Sequence, residues 1–191
     1  MAQIRLPKTA DSRWLPLCIV VAWSFLEATV FFVVVDVYLS WLALSDRRRA
    51  LRLCGVAAVS ATVGGAILFW LGHSYPQEMK VVLNSIPAID SDLIAEVEGD
   101  VAGRSYGSLF VGAFSGVPYK IFAVVFGERF SGSFDFFSFM VASLCARLLR
   151  FSLVTFVAWM TGRFLRRVAP NSLPVAHLAF WFVFYLGYWF A

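Results

Sequence analysis

The stretch AWSFLEATVFFVVVDVYLSWLAL, Ala22 to Leu44, sets the terms for the whole chain. It is long enough to cross a bilayer, which takes about 20 apolar residues, yet it carries Glu27 and Asp36. A carboxylate at the centre of a membrane helix costs roughly 2.5–3.5 kcal/mol on insertion scales. The two acids stand at positions 27 and 36, and at about 100° per residue that spacing puts them on opposite sides of a continuous helix. A straight span would therefore turn one of them to lipid. A bend between them removes the conflict, and the β-branched Val33, Val34 and Val35 mildly disfavour helix there. Irregular backbone at such depth is tolerated only where it is buried in protein or lines a wet cavity. The stretch thus predicts a re-entrant hairpin and a polar cavity near the midplane.

The rest of the chain is of the same kind. Of 191 residues, 60% are hydrophobic and only 15% charged, with a mean hydropathy of +0.77. A soluble domain is about 45–50% apolar and about 25% charged, so the composition predicts an integral membrane protein. Five apolar stretches are visible: Trp14 to Leu44, Gly55 to Leu71, Tyr106 to Gly127, Phe134 to Thr161 and Leu173 to Phe190. The third is broken by Gly107, Gly112, Gly116 and Pro118. Between the second and third lies a polar segment, His73 to Arg104, in which Met79, Val82, Leu83 and Ile86, then Leu93, Ile94, Val97 and Val101, recur at helical spacing. These predict short amphipathic helices at the membrane interface.

Charge placement orders the stretches. Arg5, Lys8 and Arg13 precede the first, and Arg47, Arg48, Arg49 and Arg52 follow it. Positive residues favour the cytoplasm, so with both flanks there the first stretch enters and leaves on the same side; the alternative, five full crossings, would put Arg13 and Arg47 on opposite sides and is less consistent with the charges. The second then crosses outward. The 73–104 segment, poor in Lys and Arg, lies outside, and the third stretch dips in from there and returns. The fourth crosses inward to Arg163, Arg166 and Arg167, and the fifth crosses outward. The expected fold is all-α, with two opposed re-entrant helical hairpins and about three full transmembrane helices, residues 1–191 forming one multi-pass domain with a cytoplasmic N-terminus. Trp14, Trp41, Trp70, Trp159 and Trp189 fall near stretch ends, where an interfacial belt would hold them.

The fourth stretch supplies partners for the acids. Arg147 and Arg150, in SLCARLLRF, share a helix face. Lys120, just after Pro118 in GAFSGVPYK, adds a cation from the second hairpin. Two carboxylates and three cations directed at one intramembrane site leave an excess of one positive charge, which suits an anion such as a phosphate head group. Ion pairs that merely hold helices in register are the structural alternative.

Other signals are weaker. GRSYG, Gly103 to Gly107, has the spacing G-x-S-x-G, but no strand precedes it and the only histidines are His73 and His177. No nucleophile–base pair, phosphate loop or metal-ligand cluster is present, so neither an enzyme nor a cofactor is expected. GAFSG, Gly112 to Gly116, and Gly64–Gly65 read as close-packing positions. Cys18, Cys54 and Cys145 read as small hydrophobes. The first apolar run is too long for a signal-peptide core and is read as retained. No basic patch with interleaved aromatics points to nucleic acid.

These residues resemble the DedA family, also called the VTT or SNARE-associated Golgi domain family. The resemblance runs from about Trp23 to Arg167: Glu27 and Asp36 in a hairpin, a glycine-bearing helix, Tyr106–Gly107 leading into FVGAFSGVPYKIFAVVFG, and FFSFMVASLCARLLRFSLVTFVAWMTG with its arginine pair, as in a small DedA-like branch. Prolines common in the family between the two acidic positions are missing, and Ala113 stands where many members carry arginine. The resemblance implies two re-entrant hairpins meeting in the membrane and movement of phospholipids or polyprenyl phosphates between leaflets, in some members coupled to protons. The expected function is a flippase or scramblase in the bacterial inner membrane. Glu27, Asp36, Lys120, Arg147 and Arg150, with Pro118 in the bend, form the expected binding set. The expected partners are an anionic lipid head group and protons, with homo-oligomer formation left open. A non-transporting membrane scaffold and a small-ion or solute carrier are the alternative readings.

Overall fold

The computed structural model describes residues 14–130, 132–169 and 172–190, with backbone alone at 188–190. The basic residues Arg5, Lys8 and Arg13 and the Trp189 side chain lie outside the described residues. The described chain is all-helical: α1 (Trp14–Thr29), α2 (Asp36–Ser45), α3 (Arg47–Ser74), α4 (Pro76–Asn84), α5 (Ser91–Arg104), α6 (Gly107–Ser115), α7 (Tyr119–Arg129), α8 (Ser133–Val168) and α9 (Leu173–Phe190). α3 and α8 are long and apolar enough to cross a membrane, with mean hydropathies of 1.9 and 1.7 over their best windows. At 1.5 Å per residue they reach about 42 and 54 Å, against a hydrocarbon core of about 30 Å. Their outward faces carry large exposed apolar side chains such as Val59, Val63, Leu149 and Phe156.

Local chemistry sets the breaks. Asp46 caps α3 by accepting the Arg49 N–H at 3.0 Å, and Asp90 caps α5 by accepting the Leu93 N–H at 2.8 Å. Pro76 opens α4, where its missing N–H costs nothing. α6 ends on Gly116, whose φ of +89° is left-handed, the conformation that glycine adopts without a Cβ penalty. Two residues on, Pro118 stands in extended backbone immediately before α7. The first apolar stretch is likewise broken, at 30–35, between α1 and α2.

The helix directions follow from the contacts. Val21 of α1 lies beside Ser60 of α3, and Ala28 beside Gly64, so α1 and α3 run parallel. Cys54 meets Thr155 while Phe69 meets Phe139, so α8 runs antiparallel to α3. Asp36 reaches Arg150 and Leu44 lies at Gly162, so α2 runs with α8 and opposite to α1. α6 follows α8, from Tyr106 at Asp135 to Ala113 at Arg150. α7 follows α3, from Tyr119 at Gly65 to Val124 at Gly72. The two helix–break–helix units therefore point at each other from opposite ends of the α3–α8 pair.

Two apolar cores result. One, around Leu39, Ala57, Ala58, Ala61 and Phe151, joins α1, α2, α3 and α8. The other, around Phe122, Phe126, Phe139, Leu83 and Val97, joins α7 to α3, α4, α5 and α8, and Tyr119 packs against both. The amphipathic pattern of the 73–104 segment does form α4 and α5. Met79, Leu83, Ile94, Val97 and Val101 are buried against the rest of the protein, and Val82 is exposed.

Candidate functional site

The break at 30–35 is held from three directions. Glu27 Oε2 accepts the Val35 N–H at 2.9 Å, Trp23 Nε1 donates to the Val33 carbonyl at 2.8 Å, and the Val34 N–H donates to the Tyr185 hydroxyl at 2.8 Å. Backbone groups released from helix pairing are thereby satisfied by side chains, as buried irregular backbone requires. Both acids now face α8. Arg147 Nη1 donates to Glu27 Oε1 at 2.8 Å, and Arg150 Nε donates to Asp36 Oδ2 at 3.0 Å.

The facing unit completes the set. The Lys120 ammonium, in the first turn of α7, donates to the Phe31 carbonyl at 2.8 Å, joining one break to the other. Arg150 Nη1 donates to the Ala113 carbonyl at 3.1 Å, from α8 to the end of α6. The Arg147 guanidinium lies 4.1 Å from the centre of the Tyr119 ring, close enough for a cation–π contact. Glu27, Asp36, Lys120 and Arg147 are only 6, 1, 2 and 4% exposed, respectively. Breaking one of these buried pairs would leave a bare charge.

Glu27, Lys120, Arg147, Arg150, Pro118 and Tyr185 line one small cleft, with room for about 50 Å³ of solvent, enough for a few waters. The α4–α5 connection at Ile86, Pro87 and Ile89, and Phe184 on α9, border the same cleft. All six sequence-predicted site residues are brought together: five on the cleft wall, and Asp36 directly behind Arg150. Tyr185, Trp23 and Tyr119 are participants that charge counting did not find. Tyr185 carries no distinguishing signal in the fifth stretch, which also holds His177, Trp181, Tyr188 and Trp189.

The charges do not balance pairwise. Both arginines form ion pairs, whereas Lys120 makes none among the described residues. Glu27 is near, but its two oxygens are taken by Arg147 and the Val35 N–H. One Asp36 oxygen, Oδ1, is buried without a hydrogen-bond partner among the described residues. Among the described residues no group of His, Cys, Asp and Glu is arranged to hold a metal ion.

No family model matches the chain, and no solved structure matches it. A protein of Haemophilus influenzae, described as an uncharacterized protein, is 27% identical over 153 residues, spanning 78% of this chain and 75% of that protein.

Proposed function

We propose that this chain is a DedA-like protein of the bacterial inner membrane that moves a phosphate-bearing lipid between leaflets. In this reading α3, α8 and α9 span the bilayer, and the α1–α2 and α6–α7 units are re-entrant hairpins entering from opposite faces. The cleft between their breaks receives the head group. The observation that carries the proposal is Lys120: a buried ammonium with a backbone carbonyl as partner, on the wall of a cleft shared with two arginines. An unmatched buried cation is costly, and an anionic phosphate in the cleft would satisfy it through charge-assisted hydrogen bonds. A second support is Arg150 at the Ala113 carbonyl: the guanidinium that the family resemblance expects on α6 at position 113 is delivered there from α8. The unpartnered Asp36 Oδ1 is the atom best placed to hold a coupled proton.

The test is leaflet transfer in proteoliposomes, with labelled phospholipids and undecaprenyl phosphate. Lys120→Met should abolish transfer in a protein that still folds, and Lys120→Arg should retain part of it. Transfer at the normal rate by Lys120→Met would overturn the assignment. Ion flux without lipid movement would replace it with a solute carrier.

A further inference from the structure

The two ends of the α3–α8 pair differ in how their charges are matched. At the α4–α5 end, Lys80 pairs with Glu98 and Glu128, and Arg104 pairs with Asp100. At the other end, Arg47, Arg48, Arg49 and Arg52 open α3, and Arg163, Arg166 and Arg167 close α8. None of these arginines forms an ion pair among the described residues. Asp46, the acid next to them in the chain, spends its Oδ1 on the Arg49 backbone N–H. The first turn of α3 holds no acid, so Arg47, Arg48 and Arg49 stand at the positive end of the helix dipole, where cations are disfavoured. Helix stability does not account for them.

Two of these guanidinium groups are placed by a single ring. Arg47 Cζ lies 4.3 Å from the centre of the Trp159 ring, and Arg163 Cζ lies 5.9 Å from it, both within the roughly 6 Å reach of a cation–π contact. α3 and α8 each deliver one of them. A guanidinium stacked on an aromatic face keeps its N–H edge free for an oxyanion. Arg47 and Trp159 are half-buried and Arg163 is exposed. From Arg150 to Trp159 the helix rises about 14 Å, which separates this place from the Lys120 cleft.

The apolar neighbours select the partner. Met160, Phe164 and Val168 are exposed on α8, and at a spacing of about one turn they form a stripe beside Arg163 and Arg167. On α3, Leu51 is exposed next to Arg52. A nucleic acid, an acidic soluble protein or a free phosphate would match the arginines and leave the stripe in water. A lipid leaflet answers both, with hydrocarbon against the stripe and phosphates at the level of the guanidinium groups.

We infer that Arg47, Trp159 and Arg163 form a binding site for the phosphate of an anionic phospholipid in the leaflet at that end of the α3–α8 pair. The assignment requires that α3 and α8 span a bilayer, as proposed above, and is independent of lipid transfer. The bound lipid ties the start of α3 to the end of α8 through one charge-assisted bridge.

The experiment is native mass spectrometry of the full chain at about 0.15 M salt, where charges more than about 8 Å apart are screened, with phosphatidylglycerol, phosphatidylcholine or inorganic phosphate added. Phosphatidylglycerol should stay bound, phosphatidylcholine should not, and inorganic phosphate should not displace the lipid. Arg47→Gln with Arg163→Gln should weaken retention about tenfold. Arg166→Gln with Arg167→Gln removes the same charge from residues that do not stack on Trp159, and should weaken it less than about threefold. Trp159→Leu keeps every charge and should also weaken it. Equal retention of the two lipids, equal losses in the two double variants, or displacement by inorganic phosphate would each overturn the site. The charge-matched pair of variants decides the point even if Trp159→Leu does not fold. Specific retention by a protein that transfers no lipid would uphold this site and remove the transport reading. Transfer by a protein that retains neither lipid would do the reverse.

Discussion

Lys120 and Arg147 are both buried cations on one cleft wall, yet removing them should have opposite consequences. Arg147 neutralises Glu27 at 2.8 Å, so Arg147→Ala leaves a bare carboxylate and should cost about 3–5 kcal/mol. Glu27→Gln combined with Arg147→Met keeps an acceptor for the Val35 N–H and should recover most of that loss, as read by unfolding in detergent. Lys120→Met removes one hydrogen bond to Phe31 but also relieves an unpaired ammonium. Its stability should stay within about 1 kcal/mol of the parent while transfer is lost. A large destabilisation would assign Lys120 to the framework and not to a ligand. At this scale the sequence was informative about which residues matter and silent about how they pair. Charge spacing singles out Glu27, Asp36, Arg147 and Arg150, but only packing shows that each arginine takes one acid and that Lys120 is left over.

The helices meet with little tolerance at their small residues. A Cβ at Gly72 would collide with the backbone of Val124, and one at Gly127 with the carbonyl of Phe69, so α3 and α7 lie almost backbone to backbone. Gly72→Ala and Gly127→Ala should each cost about 1–3 kcal/mol by overpacking. Gly55, with open space around its missing side chain, should tolerate alanine with a gain of up to about 1 kcal/mol. Equal effects at the three positions would contradict the close approach. Of the two glycines bounding GAFSG, only Gly112 abuts a neighbour, the Phe122 ring, and Gly116 serves through its left-handed φ. A second joint lies at Lys80, which binds Glu98 of α5 at 2.7 Å and Glu128 of α7 at 2.8 Å. Burial alone would lower the Lys80 ammonium, but hydrogen bonds and charge from Glu128 and Glu98 outweigh it and hold the group above its ordinary range. With the folded value raised, this stabilisation is complete below the ordinary lysine value of about 10.4 and is lost as pH climbs through the folded one. Proteolysis of the α4–α5 segment should therefore accelerate at strongly alkaline pH, and Lys80→Met should be insensitive over the same range. Periodicity located α4 and α5 but could not say whether their apolar faces meet lipid or α7, because a helical moment reports a face and not its partner.

Across the molecule, the opposed units make a topological statement that labelling can check. Single cysteines at Trp14 and Asp46, in a background without Cys18, Cys54 and Cys145, should react with an impermeant reagent from the same side as one at Arg166, and one at Asp92 from the other. Trp14 and Asp46 on opposite faces would restore a straight first span. The apolar runs correspond to every helix but α4 and α5. They stopped α8 short at Thr161, although it continues to Val168, because arginines are good helix formers that a hydropathy reading discards. That the two breaks approach each other was an expectation of the charge count and of the resemblance, but the bond that joins them, from Lys120 to the Phe31 carbonyl, was not legible, since it depends on tertiary packing that no local pattern encodes. That contact also bears on how the protein is made. Glu27 waits for a residue 120 positions later in the chain and Asp36 for one 114 later. At about 5–20 residues per second of synthesis, some 6–24 seconds pass before the counter-charges leave the ribosome. On the membrane arrangement proposed above, the α1–α2 unit would spend that interval outside the lipid, or sheltered by the insertion machinery, and would settle only after α8 has been threaded.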